Sequence, residues 1–229
     1  PRAGAKSCPN PGYSDCGPPE FRQAEGTSFA APQAAGAAAL LLGLRPGLAP
    51  NQLSWLLERS ALDAVPVTGC RACLPSRDRY TGWGRLDVAA AVLELASRNL
   101  PRPDRYEAND DAGSFAWPLK WRRGTLTATI DFWDDETDVY RVRLKRGQRF
   151  SAVLRGPTGT NTNLLLWKPG TRTVRGFKGT SRRVAVRSAG PGPRERIARY
   201  RARRTGFYYL EIRISRRGSG PYSLSLSKR

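Results

Sequence analysis

The period of the hydrophobic pattern changes once along this chain of 229 residues, near residue 100, and that change constrains the fold more than any single motif. Before it, Ala and Leu gather in blocks of helical length. After it come short runs rich in Val, Ile, Leu, Tyr and Thr, punctuated by Gly and Pro. Helical spacing buries a stripe, whereas alternation buries one face of a strand, so the two halves point to different architectures. The expected organisation is a first domain over residues 1–100, a linker at 101–105 beginning Pro101-Arg102-Pro103-Asp104, and a second domain over 106–229.

In the first half, residues 1–26 are rich in Pro, Gly, Ser and Cys and read as loops with at most short strands. Thr27 and Ser28 open a helix to about Leu44, ended by Gly43 and Pro46-Gly47. Seven alanines between Ala30 and Ala39 leave almost no bulk on any side, so this helix is expected to be packed closely all round. Further helices fit Asn51–Ser60 and Leu86–Ala96, the latter behind Gly82-Trp83-Gly84. Three helices without a sheet look like the closing portion of an α/β layer, mainly helical and incomplete. Residues 26–44 come closest to a membrane span, but Thr27, Ser28, Pro32 and Gln33 interrupt the run, so no span is expected.

In the second half, Tyr140, Val142 and Leu144 alternate with Arg141, Arg143 and Lys145. Tyr208, Leu210, Ile212 and Ile214 alternate with Tyr209, Glu211 and Arg213, and Tyr222, Leu224 and Leu226 with serines. Strands also fit 126–130, 149–154 and 164–167. Short strands with one polar face and frequent turns predict an all-β antiparallel sandwich or jelly roll.

Charge is segregated. The formal net charge is +20, yet residues 139–229 alone carry 24 Lys/Arg against 2 Asp/Glu, a balance of +22. One reading is a solvated, strongly charged outer face; the other is attraction to an anionic polymer or surface. Four cysteines, Cys8, Cys16, Cys70 and Cys73, allow three pairings, and Cys8–Cys16 with Cys70–Cys73 is preferred. A four-thiolate zinc site is the rival, suggested by Cys70-Arg-Ala-Cys73 but opposed by the wide Cys8–Cys16 spacing. Disulfides imply an oxidising, exported setting.

Ser28 follows Gly26-Thr27 at a helix start, which suits both a helix cap and a nucleophile. The chain contains no histidine to act as its base. Lys6 is the only lysine in this half, and Glu25 is the nearest carboxylate in sequence; neither is well placed to substitute. The chain begins with Pro1 and has no methionine, so it is expected to be a piece of something longer.

Gly26-Thr27-Ser28-Phe29-Ala30-Ala31-Pro32 resembles the serine motif of the subtilases, the subtilisin-like serine peptidases. The likeness continues through Gly36–Leu41, Leu56–Ser60 and Gly82-Trp83-Gly84-Arg85-Leu86-Asp87-Val88. It implies that Ser28 is the nucleophile of an endopeptidase acting on polypeptide, that its own N–H contributes to the oxyanion hole, and that Gly26 and Thr27 assist there. It also implies that the Asp, His and Asn of the catalytic set lie upstream, so the chain alone is expected to be inactive. Gln33 stands where many members carry His, outside the catalytic set.

The second domain resembles the pre-peptidase C-terminal β-domains of secreted bacterial peptidases, through Tyr106-Glu107-Ala108-Asn109-Asp110-Asp111, 134–142, Arg146-Gly147-Gln148 and 220–224. Asp110, Asp111, Asp134, Asp135 and Asp138 could supply oxygen ligands for calcium, or simply form turns. The chemistry itself requires no cofactor; calcium would serve stability. The alternative function is a non-catalytic secreted module whose basic sandwich binds anionic polymer.

Overall fold

The computed structural model describes residues 13–14, 23–24, 26–73, 75, 77–97, 100, 103–175 and 181–229. The chain divides into two compact units, Pro1–Leu100 and Pro101–Arg229.

In the first unit, β1 (Tyr13–Ser14) pairs antiparallel with β2 (Gln23–Ala24). Three helices follow: α1 (Thr27–Leu44), α2 (Pro50–Ser60) and α3 (Val88–Ala96). Pro50 takes the first position of α2, where a missing N–H costs nothing, and the Ala49 N–H donates to Gln52 Oε1 at 3.1 Å. α3 starts two residues later than the apolar spacing suggests. The cause is Asp87, whose carboxylate accepts from the Ala90 N–H at 2.9 Å and so holds the capping position. Trp55 and Leu56 of α2 and Ala91 and Leu95 of α3 form the buried centre, with Arg45 at the end of α1 donating to the Leu95 carbonyl at 2.9 Å. Cys70 and Cys73 form a disulfide, as the preferred pairing has it. Cys8 and Cys16 lie outside the described residues.

α1 departs from its expected environment. Of its 18 residues only Ala37 and Leu41 are buried, and Phe29, Leu40 and Leu44 are 43%, 61% and 62% exposed. Its small side chains allow close packing on every side, but α2 and α3 cover only one of them. Among the described residues α1 is also the one helix long and apolar enough to cross a membrane by length and composition, its polar interruptions notwithstanding.

The second unit holds two sheets. One runs in the order β3 (Trp117–Leu119), β5 (Thr137–Leu144), β10 (Gly206–Ile214), β7 (Thr162–Trp167), β8 (Val184–Ser188). The other runs β4 (Arg123–Asp131), β11 (Ser219–Lys228), β6 (Arg149–Arg155), β9 (Arg194–Arg201). All pairs are antiparallel except β3 with β5. The inward residues of the alternating patterns, among them Tyr140, Phe150, Leu154, Leu166, Leu210 and Leu224, form one core. Each large side chain so buried contributes about 2 kcal/mol of transfer free energy.

The opposite face of the five-stranded sheet is not the polar surface the alternation predicts. Residues 112–116 and Val174 cover it, enclosing a second cluster with Val139, Leu165, Trp167 and Tyr209. Glu211 is consequently buried, accepting from Trp167 Nε1 at 2.6 Å and pairing with Arg213 at 2.5 Å.

Gly84 has a steric reason. Its φ is 123°, and a Cβ there would lie 2.2 Å from the Leu62 carbonyl oxygen, because Leu62 and Arg85 exchange two backbone hydrogen bonds of 2.8 Å. Gly84→Ala is expected to destabilise this bridge by about 2 kcal/mol, through strained backbone and a forced shift. Hydrogen exchange at the Leu62 and Arg85 amides should then accelerate about thirtyfold; unchanged exchange would refute the assignment.

Candidate functional site

Two places gather chemistry-bearing groups, one in each unit. The first is the start of α1. Gly26 occupies the position before the helix with φ 146° and ψ 153°, a conformation that side chains resist, and Ser28 is the second residue of the helix itself. The cap is therefore Gly26, not Ser28, and the cap residue offers no side-chain acceptor to the first turn. Gly26, Thr27 and Ser28 are all exposed. The serine hydroxyl thus sits beside first-turn N–H groups whose partial positive charge favours a developing anion. Pro32 falls early enough in the helix for α1 to continue through it. Lys6 and Glu25, the nearby groups considered as substitutes for an imidazole, lie outside the described residues.

The second place is an acidic cluster in the β unit. Glu107, Asp135 and Asp138 each bring a carboxylate oxygen within 4.8 Å of the others. Three separate segments converge to make it. The stretch around Glu107 is pinned by Asp104, whose carboxylate accepts from the Tyr106 and Thr129 N–H groups at 2.7 Å each, and by the Val139 N–H, which donates to the Asn109 carbonyl at 2.7 Å. Asp135 sits in the turn after β4, closed by reciprocal backbone bonds with Asp131 of 3.0 and 3.2 Å. Asp138 lies in β5 with no exposed surface and accepts from the Tyr222 hydroxyl of β11, which in turn meets the Tyr140 hydroxyl at 2.6 Å.

Proximity and burial disfavour charge on all three acids. Burial, then repulsion from Asp104 and Asp110, pushes the Glu107 carboxyl up to about 7. Asp135 is raised by burial and by Asp138, Glu107 and Asp134. Asp138 is raised by burial, against the lowering effect of the Tyr222 hydroxyl. Asn109 completes the picture: it is fully buried, its amide lies beside Asp138 and favours the charged carboxylate, yet neither side-chain atom reaches hydrogen-bond geometry. A buried amide left in that condition is costly, and an all-oxygen donor set suits a hard cation such as calcium.

Of the aspartates singled out from sequence, Asp135 and Asp138 are in the cluster. Asp111 instead anchors a loop, accepting from the Val174 N–H at 2.7 Å and Thr173 Oγ1 at 2.8 Å, and Asp110 pairs with Arg175 at 3.0 Å. Asp134 is half-buried in the turn between Asp131 and Asp135. The sequence reading does not include Glu107 and Asn109 among the donors, although both stand in the Tyr106–Asp111 stretch that carries the resemblance.

Comparison with known proteins bears on the unit that contains Ser28. Residues 2–90 match the subtilase family. The chain is 32% identical over 91 residues to a probable subtilase-type serine protease of Deinococcus radiodurans, covering 40% of the present chain and 12% of that relative. The chain thus spans about an eighth of the relative's length. Among solved structures, the pre-peptidase C-terminal domain of collagenase from Bacillus anthracis is similar at 19% identity and TM-score 0.39, over 56% of this chain and 99% of that one. The periplasmic g-type lysozyme inhibitor PliG of Aeromonas hydrophila is similar at 20% identity and TM-score 0.38, over 50% and 96% respectively.

The raised carboxyls fix a pH dependence for the cation-free protein. Because the folded state holds protons on these acids that the unfolded chain has released, their contribution to stability is fullest below ordinary carboxylate values and is lost as pH rises, for Glu107 through about 7. The melting temperature in chelator should therefore fall between pH 5 and 8, and Asp138→Asn should flatten the fall; a profile that rises over this range would contradict the assignment.

Proposed function

We propose that this chain is the serine-bearing end of a subtilisin-type endopeptidase, followed by an accessory β-sandwich, in a secreted bacterial protein. The observation that carries the reading is Ser28 in the second position of α1, within the residues 2–90 that match the subtilase family. In the intact protein the Ser28 hydroxyl attacks a peptide carbonyl, and its own N–H, at the positive end of α1, stabilises the oxyanion with help from Thr27. Gly26 leaves room for substrate backbone. The base is supplied from elsewhere in the same protein, since no imidazole exists in these 229 residues. The open face of α1 supports that reading, because a helix this rich in alanine is suited to a neighbour that is not in the chain. On this reading residues 1–100 are catalytic-domain sequence, 101–105 link, and 106–229 form the accessory domain.

Fluorophosphonate labelling of the intact, processed protein tests it. Stoichiometric modification of Ser28, lost in Ser28→Ala, is expected, with little labelling of the present chain alone. Folded intact protein that takes no label would refute the peptidase reading.

We further propose that the acidic cluster holds calcium, with Glu107, Asp135, Asp138 and the Asn109 amide oxygen as donors. The ion would replace the protons these carboxyls otherwise retain, so affinity rises with pH between 6 and 8. In the full chain, calcium at a hundredfold excess over its Kd should stabilise by about 2.7 kcal/mol, and Asp138→Asn should abolish the gain. No thermal shift at millimolar calcium would rule it out.

A second reading has its own support. Among the described residues of 139–229 both acidic side chains are buried, and only Arg213 pairs with one of them, Glu211, so most of the basic side chains of that segment have no acidic partner within it. This favours an accessory domain that binds a polyanion, whether or not the intact protein is a peptidase.

A further inference from the structure

The register of the four-stranded sheet places its charges in an arrangement that stability alone does not favour. Across the β6–β9 ladder Arg155 stands directly opposite Arg194, and Arg149 directly opposite Arg201. Side chains in such pairs are about 5 Å apart at their first carbons, and like charges there are destabilising. Among the described residues none of these four arginines forms an ion pair. Protection of an exposed sheet edge explains charge on β9, which is an edge strand. It does not explain Arg149 and Arg155, because β6 lies inside the sheet between β11 and β9.

The rest of the outer face is polar and open. Successive cross-strand rows read Thr127, Ser223, Arg155, Arg194, then Thr125, Ser225, Val153, Arg196, then Arg123, Ser227, Ser151. Arginines therefore frame a floor of hydroxyls, and a groove of about 280 Å³ opens over it between Arg123, Thr125, Ser151, Val153, Ser225 and Ser227. No acid and no aromatic ring stands in these rows.

We propose that this face binds a polyol-phosphate chain, a flexible polymer of phosphodiester units, as the ligand of the polyanion-binding domain on whose reading this inference rests. Guanidinium groups take phosphate oxygens in pairs, and serine and threonine hydroxyls donate to the remainder. Arginines two apart along β9 are spaced by about 6.8 Å, a repeat that suits one anionic group per short unit. Without an aromatic platform the face offers nothing on which a nucleobase or a sugar ring could stack, which sets single-stranded nucleic acid and carboxylated glycans behind a chain whose charges are its main feature. A bound phosphate between Arg155 and Arg194 would also relieve the repulsion that the empty face carries.

The test uses the full chain and a poly(glycerol phosphate) of defined length, titrated at several salt concentrations, with duplex DNA and polyglutamate of matched charge in parallel. Arg155→Ser with Arg194→Ser should weaken binding to poly(glycerol phosphate) about tenfold and lower the salt slope by about 2, while the melting temperature in low salt holds or rises. Arg143→Ser with Lys145→Ser removes the same charge from the other sheet and should change affinity less than about twofold. Should the first pair fail to fold, Arg123→Ser with Arg196→Ser asks the same of the face. Equal loss in the control pair would overturn the assignment of the face and leave polyanion binding standing. Tighter binding of duplex DNA or polyglutamate would overturn the choice of polymer. Absence of binding to every polyanion at low salt would overturn the second reading together with this inference.

Discussion

The hydrogen bond from the Tyr222 hydroxyl to Asp138 joins the two sheets of the β unit inside their shared core, since Asp138 belongs to β5 and Tyr222 to β11. Much else is arranged around it. A carboxylate with no exposed surface is tolerable only with partners, and Tyr222 supplies one while itself meeting Tyr140. The remaining oxygen faces Glu107, Asp135 and an unsatisfied Asn109. The same contact that registers one sheet on the other therefore leaves a concentration of buried negative charge at its edge. A structure built for stability alone would have placed an apolar residue at 138.

The two charged regions of the β unit work in opposite senses. Acidic groups converge from loops and the start of β5, so their repulsion is relieved by protons or by a cation. Basic groups are spread over the outer face of the four-stranded sheet, where water and salt screen them, and paired arginines of β6 and β9 stand opposite one another. Glu195 and Glu211 do not soften this field. Both are turned inward, Glu195 to the Ser188 hydroxyl and the Gly190 N–H and Glu211 to Trp167 and Arg213. The first unit shows a different imbalance: α1 has the composition of a core helix and the exposure of a surface one.

What could be read from residue order alone is what local sterics and periodicity decide. Six strands of the β unit were legible because alternation places apolar side chains on one face, and the start and end of α1 followed from Thr27-Ser28 and from Gly43 with the Pro46-Gly47 turn. β9 was hidden because arginine occupies most of its outward positions, and β3 because Pro118 speaks against a strand except at an edge, where it lies. The Gly-Thr-Ser motif was legible as a pattern, but which residue caps the helix was not, since that turns on the backbone angles of Gly26. Long-range convergence belongs to tertiary structure only: Glu107 and Asn109 meet Asp135 and Asp138 because two sheets pack and a turn closes, and Arg155 faces Arg194 because a register aligns strands almost forty residues apart. Neither arrangement has a local signature, because the energies that create them come from burying the core and are indifferent to the charges carried along.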